Sequence, residues 1–184
     1  MQERPAFSRR GLLLGLASTV ICAPAISVPA LAYTKGEHRV LNLYNIHTKE
    51  RFDGAFWSNG RFDPSALTRF SFFLRDHHTN HAYRIDPELP DLVHELQSSL
   101  GGAHIDVLSG YRDPVTNKRG RRKSRRYAKN SYHLVGKAID IRVPEVELKD
   151  LRTLAMSLER GGVGVYTRAN YVHVDTGPMR RWGR

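Results

Sequence analysis

Apolar and polar positions alternate through Val40, Leu41, Asn42, Leu43, Tyr44, Asn45 and Ile46, the two-residue period of a strand with one buried face. The segment from Arg51-Phe52 to Phe56-Trp57 is expected to pair back on it as a hairpin. The period then becomes helical. Asp63-Pro64 marks a helix start, followed by Leu67, Phe70, Phe73 and Leu74 on one stripe; Asp86-Pro87 marks another, followed by Leu92, Val93, Leu96 and Leu100 and ended by Gly101-Gly102. Both stripes are core faces. Ile105-Asp106-Val107-Leu108 predicts a strand, Ala138-Ile139-Asp140-Ile141 a central one, and 163–166 and 171–175 two short last ones. Leu148, Leu151, Leu154, Ala155 and Leu158 mark a further helix, closed by Gly161-Gly162. The chain thus reads as one mixed α and β unit without internal repeats.

The N-terminus departs from this pattern and reads as a removable leader over residues 1–32. A polar start precedes Ser8-Arg9-Arg10, an apolar run over 11–23 follows, and Ala30-Leu31-Ala32 offers a small-x-small cleavage site. The run is shorter than the ~20 apolar residues a membrane span requires, so no stable membrane anchor is expected. The arginine pair resembles the twin-arginine export signal, which predicts delivery to the periplasm. Cys22, the only cysteine, falls inside the leader. The chain from 33 to 184 therefore has neither disulfides nor thiolate ligands, and its bulky Ile21 neighbour argues against lipid attachment at Cys22. One domain is expected over 33–184.

Charge changes the picture next. The net charge is +11, and the leader holds only Arg4, Arg9 and Arg10 against Glu3, so +9 stays with the domain. An exported cationic protein meets anionic wall polymers before it meets nucleic acid. Lys118, Arg119, Arg121, Arg122, Lys123, Arg125, Arg126 and Lys129 form a dense positive run without apolar period, expected as a solvated loop or as a segment that overhangs a site and draws in carboxylates. It lacks the interleaved aromatics of nucleic-acid binders, and no nucleic-acid partner is expected.

The chemistry concentrates in Ser131-Tyr132-His133-Leu134-Val135-Gly136-Lys137-Ala138-Ile139-Asp140, where an imidazole and a carboxylate lie seven residues apart across a glycine turn into a strand. His173, in Tyr171-Val172-His173-Val174-Asp175, offers a third donor on a strand whose alternate residues share a face. Two imidazoles and one carboxylate suit a catalytic Zn²⁺, whose fourth position holds water and lowers its pKa to about 7. Satisfied structural histidines are the other reading of the same spacing. His77, His78 and His81 follow the first helix in a polar stretch and are expected as exposed surface.

The pattern S-x-H-x-x-G-x-A-x-D with a late strand histidine resembles the zinc D-alanyl-D-alanine peptidases, lysostaphin-type enzymes and the hedgehog domain. L-N-L-Y-N-I-H-T, S-G-Y-R, S-Y-H-x-x-G-K-A-I-D, G-G-V-G-V-Y and Y-V-H-V-D-T-G-P resemble more closely the murein endopeptidase K-like family, over nearly all of 33–184. The resemblance implies an α+β fold, a small, mostly antiparallel sheet with helices packed on one side and a zinc cleft on its open face, hedgehog/DD-peptidase-like. It implies one Zn²⁺ held by His133, Asp140 and His173, a substrate-contacting arginine at Arg112, and peptidoglycan as substrate. The structural alternative for Arg112 is a salt bridge fixing the turn over 109–113.

The chain departs from the carboxypeptidase members at the general base. Their glutamate, three residues before the last ligand, is Asn170 here, and an amide cannot take up the proton. Asp175, two residues beyond His173 on the same strand face, is the substitute or else orients a ligand histidine from behind. The implied function is hydrolysis of peptide cross-links in the cell wall, the bond left open between diaminopimelate-linked and D-alanyl ones. The rival is a non-catalytic zinc-containing module that binds the wall or another polyanion.

Overall fold

The computed structural model describes residues 38–124 and 127–183; the expected leader and Cys22 lie outside them. Eight strands form one sheet: β1 (His38–Asn45), β2 (Arg51–Ser58), β3 (Arg61–Phe62), β4 (Ile105–Ser109), β5 (Ala138–Arg142), β6 (Gly162–Tyr166), β7 (Tyr171–Asp175) and β8 (Arg180–Trp182). Their order is β3-β2-β1-β4-β5-β7-β6-β8. β1 with β4 and β6 with β8 run parallel, and the other neighbours are antiparallel. The class is α+β with a mostly antiparallel sheet, as the resemblance implies.

β1 buries Leu41 and Leu43 and leaves Val40 exposed, after a register shift between Arg39 and Val40. Asn45 ends the strand: its side-chain oxygen accepts the N–H groups of His47 and Thr48 at 3.0 and 3.1 Å. This Asx turn starts the hairpin. α1 (Pro64–Phe73) begins where Asp63 accepts from the Ser65 and Ala66 N–H groups, a side-chain N-cap with proline in the first turn. Phe70 and Phe73 of α1 meet Phe52 of β2 at ring separations of 5.1 and 5.8 Å. α2 (Glu88–Ser99) lies along β1, where Gln97 bonds the backbone N–H and carbonyl of Asn42 at 3.0 and 2.8 Å. α4 (Leu148–Ser157) places Leu151 and Ala155 in the same core as Val163 and Val174.

The central strands separate two environments. Ile139 and Ile141 of β5, Val172 and Val174 of β7 and Val163 of β6 belong to the helix-side core. Asp140, His173 and Gly164 are register partners across β5, β7 and β6. By the period of two they occupy the opposite face.

The 118–129 run corrects an expectation. Instead of a loop throughout, its first half belongs to a helix, α3 (Pro114–Lys123), capped by Asp113, which accepts from the Val115 N–H at 2.8 Å. Apolar periodicity gave no sign of it because α3 is seated by buried Asn117 and Gly120. Asn117 donates to the Ala128 carbonyl at 3.0 Å, and the Tyr127 ring lies directly over Gly120. Arg121, Arg122 and Lys123 occupy the last turn, where positive charge is favoured by the helix dipole. Among the described residues no helix is long and apolar enough to cross a membrane.

Candidate metal centre

Ser131 accepts from the His133 N–H and opens a 3₁₀ turn, Tyr132–Val135, that ends at Gly136 with φ +67°. A side chain at 136 would adopt a conformation L residues avoid, with its Cβ 2.4 Å from the Arg84 carbonyl oxygen. The turn lowers His133 onto β5 and β7, where His133, Asp140 and His173 are 3, 5 and 6 % exposed. His133 Nε2 lies 3.2 Å from Asp140 Oδ1 and 3.1 Å from His173 Nδ1, and His173 Nδ1 lies 2.8 Å from Asp140 Oδ1.

The outward nitrogens fix the tautomers. His133 Nδ1 is 2.6 Å from the Gly110 carbonyl, and His173 Nε2 is 2.9 Å from Asp175 Oδ2. Both partners only accept, so each ring spends its proton outward and turns a lone pair inward. Two lone pairs and a carboxylate oxygen then face one another with no donor among them. Such a set could hold a shared cation, and zinc–ligand bonds of about 2.0–2.2 Å would set tetrahedral neighbours about 3.3 Å apart, close to the observed separations. His133, Asp140 and His173 are the metal-capable group among the described residues. Burial would raise Asp140, but the two imidazoles hold it well below the carboxylate range. Burial pushes His133 down, whereas Asp140 and Asp175 raise His173 despite its burial.

Asp175 is wholly buried behind His173. Besides His173 Nε2, its oxygens take the N–H groups of Gly162 and Gly177 at 3.2 and 2.9 Å and two nitrogens of Arg180 at 3.2 and 2.6 Å. Burial alone would raise its pKa, but His173, the Gly177 N–H and Arg180 bring it down. Asp175 has the placement of a carboxylate that orients a ligand, on the opposite ring edge from the centre. Asn170 is exposed, with φ 51°, at the end of the 3₁₀ turn Thr167–Ala169. Asparagine tolerates this left-handed conformation better than most residues, and Asn170 is not among those lining the cleft described next.

The centre opens into a cleft of ≈ 1000 Å³ whose wall includes Arg112, Tyr132, Tyr166, Tyr171, Arg180 and Trp182. Arg112 reaches within 3.7 Å of Asp140 Oδ2, with Ser109 and Asn117 at 3.4 and 3.5 Å and its guanidinium over the Tyr127 ring. The site thus gathers the sequence-predicted residues His133, Asp140, His173, Arg112 and Asp175, and leaves Asn170 outside. Gly164 makes the close approach of Trp182 possible, since a Cβ there would fall 2.3 Å from the indole; Trp182 in turn sits 5.1 Å from the His173 ring. Periodicity did not single out Arg180 or Trp182. Gly162 and Gly164, the glycines of G-G-V-G-V-Y that fall in β6, were the available signal that something large packs over that strand.

The histidines after α1 are exposed, as expected, but their surroundings add to that reading. His77 and His78 line the same cleft as the metal centre, together with His47 from the hairpin turn. His81 instead pairs with Asp113 at 2.8 Å.

Residues 33–182 match the family described as peptidoglycan L,D-endopeptidase MepK. The chain belongs to the MepK family. It is 42 % identical to a probable peptidoglycan L,D-endopeptidase MepK of Haemophilus influenzae over 176 residues, 95 % of this chain and 94 % of that one. It is 37 % identical to the peptidoglycan L,D-endopeptidase MepK of Escherichia coli K12 over 177 residues, 95 % and 97 % of the two chains. No solved structure matches the chain at a significant level. As a MepK-family chain it carries the donor set and the open cleft on one face of its sheet.

Proposed function

We propose that this chain is a zinc-dependent peptidoglycan endopeptidase that hydrolyses an L,D amide in the peptide cross-links of the bacterial cell wall. The observation that carries the reading is the donor-free cluster of His133 Nε2, His173 Nδ1 and Asp140 Oδ1 on the floor of an open cleft, in a chain of the MepK family. These three residues would hold one Zn²⁺. When bound, the ion supplies Lewis acidity and makes water a nucleophile near neutral pH.

The protein's own groups do the rest. Arg112 aims its guanidinium at the cleft beside Asp140 and stabilises negative charge as it develops on the amide oxygen. Asp175 keeps the His173 proton on Nε2, so that Nδ1 remains a lone-pair donor. Arg180 stays on Asp175 and keeps it ionised. With Asn170 turned to solvent and Asp175 bound by four partners, proton transfer falls to other groups. A purely structural zinc site would be closed by a fourth protein ligand; among the described residues the group has three, which favours the enzyme over the wall-binding module.

The leader at 1–32 takes the protein to the periplasm by the twin-arginine route. There the exposed cationic face of α3 concentrates it on the anionic wall. The test is a profile of cell-wall fragments after purified sacculi are treated with zinc-loaded protein, metal-stripped protein or His133→Ala. Loss of cross-linked dimers with the loaded protein alone is the expected result. Binding to sacculi with zinc retained and every dimer intact would favour the binding module.

A further inference from the structure

Three imidazoles crowd the cleft wall away from the donor set. The rings of His47 and His77 stack at 4.0 Å with 8° between planes, and those of His77 and His78 lie 4.1 Å apart. Two rigid turns set them there. The Asn45 turn presents His47, and Asp76 presents the other two by accepting from the His78 and Thr79 N–H groups at 2.8 and 3.2 Å. Among the described residues the ring nitrogens of His77 and His78 meet no hydrogen-bonding partner, and the three rings do not form a metal-capable group.

The charges facing the cluster are mainly cationic. Arg112 and Lys49 add positive potential at His77 and His47 respectively. The carboxylates on the cleft wall are Asp76 and Asp140. Asp140 belongs to the metal centre, and Asp76 spends its oxygens on the N–H groups of Asp113, His78 and Thr79 and on Thr116. Partial burial, His47 and His78 together bring His77 down to about 4, with Arg112 adding to the shift and Asp76 opposing it. His47 is also lowered, by burial, His78 and Lys49, against a bond to the Leu108 carbonyl. Open ring nitrogens in a cleft wall beside Arg112, with Lys49 near His47, make a place that an anion would complete.

We propose that His47, His77 and His78, with Arg112 beside them, form a subsite for a free carboxylate of the peptide substrate. Resting on the peptidase reading above, the subsite makes His77 and His78 specificity-determining residues. It selects a cross-link whose scissile amide has a carboxylate on a neighbouring carbon framework, and it draws protons onto the imidazoles as that carboxylate docks.

The experiment compares zinc-loaded wild type with His77→Asn, His78→Asn and the double variant on a soluble cross-linked muropeptide dimer, and on the same dimer with its carboxylates amidated. On the free-carboxylate dimer the double variant should raise KM about tenfold, the worth of one hydrogen bond to a charged group, with kcat within about twofold. On the amidated dimer it should match wild type. Equal losses on both dimers, or none on either, would overturn the subsite. Wild type that cuts neither dimer would count against the peptidase reading instead. The subsite is then decided by imidazole NMR of the wild-type holoprotein, titrated with and without the monomeric muropeptide. Higher pKa values for His77 and His78 with that ligand support it, and unmoved values overturn it.

Discussion

Ile139 and Ile141 alternate along β5 with Asp140, and Val172 and Val174 flank His173 along β7, so one pair of strands builds two unlike surfaces. On the helix side the residues are interchangeable in kind: each is held by the apolar area it removes from water, and a neighbour of similar shape would serve. On the cleft side nothing is interchangeable. Two imidazole nitrogens and a carboxylate oxygen face one another at about 3 Å, an arrangement that could hold a metal ion. Backbone and register are shared, so the contrast isolates what side-chain chemistry contributes.

Substitutions one residue apart on β5 break the comparison most sharply. Asp140→Ala should reduce cross-link hydrolysis to background and remove zinc from the purified protein, measured by fragment profiling and elemental analysis. Ile139→Ala should instead lower stability by about 2–5 kcal/mol, the range for deleting buried aliphatic side chains, and leave zinc content at wild type in the folded fraction. A denaturant titration checks it. If Ile139→Ala loses zinc while still folded, the two faces are coupled and the separation fails.

Asp175→Asn probes the support behind the centre. It should weaken zinc affinity about 10–100-fold, the usual cost of removing a ligand-orienting partner, as read by competition with a chelator. A smaller effect is expected from Gly164→Ala, whose Cβ would fall 2.3 Å from the indole and push Trp182 away: intrinsic tryptophan fluorescence should shift and kcat/KM fall while zinc remains. On α3, replacing Arg121 and Arg122 by Gln should alter stability by no more than about 0.5 kcal/mol, while making retention on sacculi weaker and less salt-dependent.

The smallest effect concerns pH. His77 has its pKa lowered from 6.5 to about 4, so between these values the unfolded chain binds more protons than the folded one. Stability should therefore fall as pH drops from about 6.5 toward 4, and His77→Asn should flatten that part of a melting-temperature profile.

The apolar face was legible in the sequence because burial imposes a period: the stripes of α1, α2 and α4 and the alternation of β1 follow it directly. The candidate metal ligands were legible for another reason. Their spacing across Gly136 matched a known pattern, whereas spacing alone left satisfied structural histidines as the default reading. α3 escaped because Asn117 and Gly120 seat it with a hydrogen bond and a ring contact, neither of which leaves an apolar period. His77 and His78 were read as exposed, which they are; only the tertiary arrangement shows that the solvent they face is the cleft. The choice between two roles for Asp175 also needed three dimensions, since two residues beyond His173 on one strand face leaves open which ring nitrogen it meets.

The most direct test of the central claim is a parallel titration of zinc content and cross-link hydrolysis as metal is removed from the wild-type protein and restored. The account predicts that both fall together and return together, reaching full activity at one zinc per chain, and that Asp140→Ala recovers neither. Hydrolysis that persists at zero metal, or zinc that rebinds fully to Asp140→Ala, would contradict it.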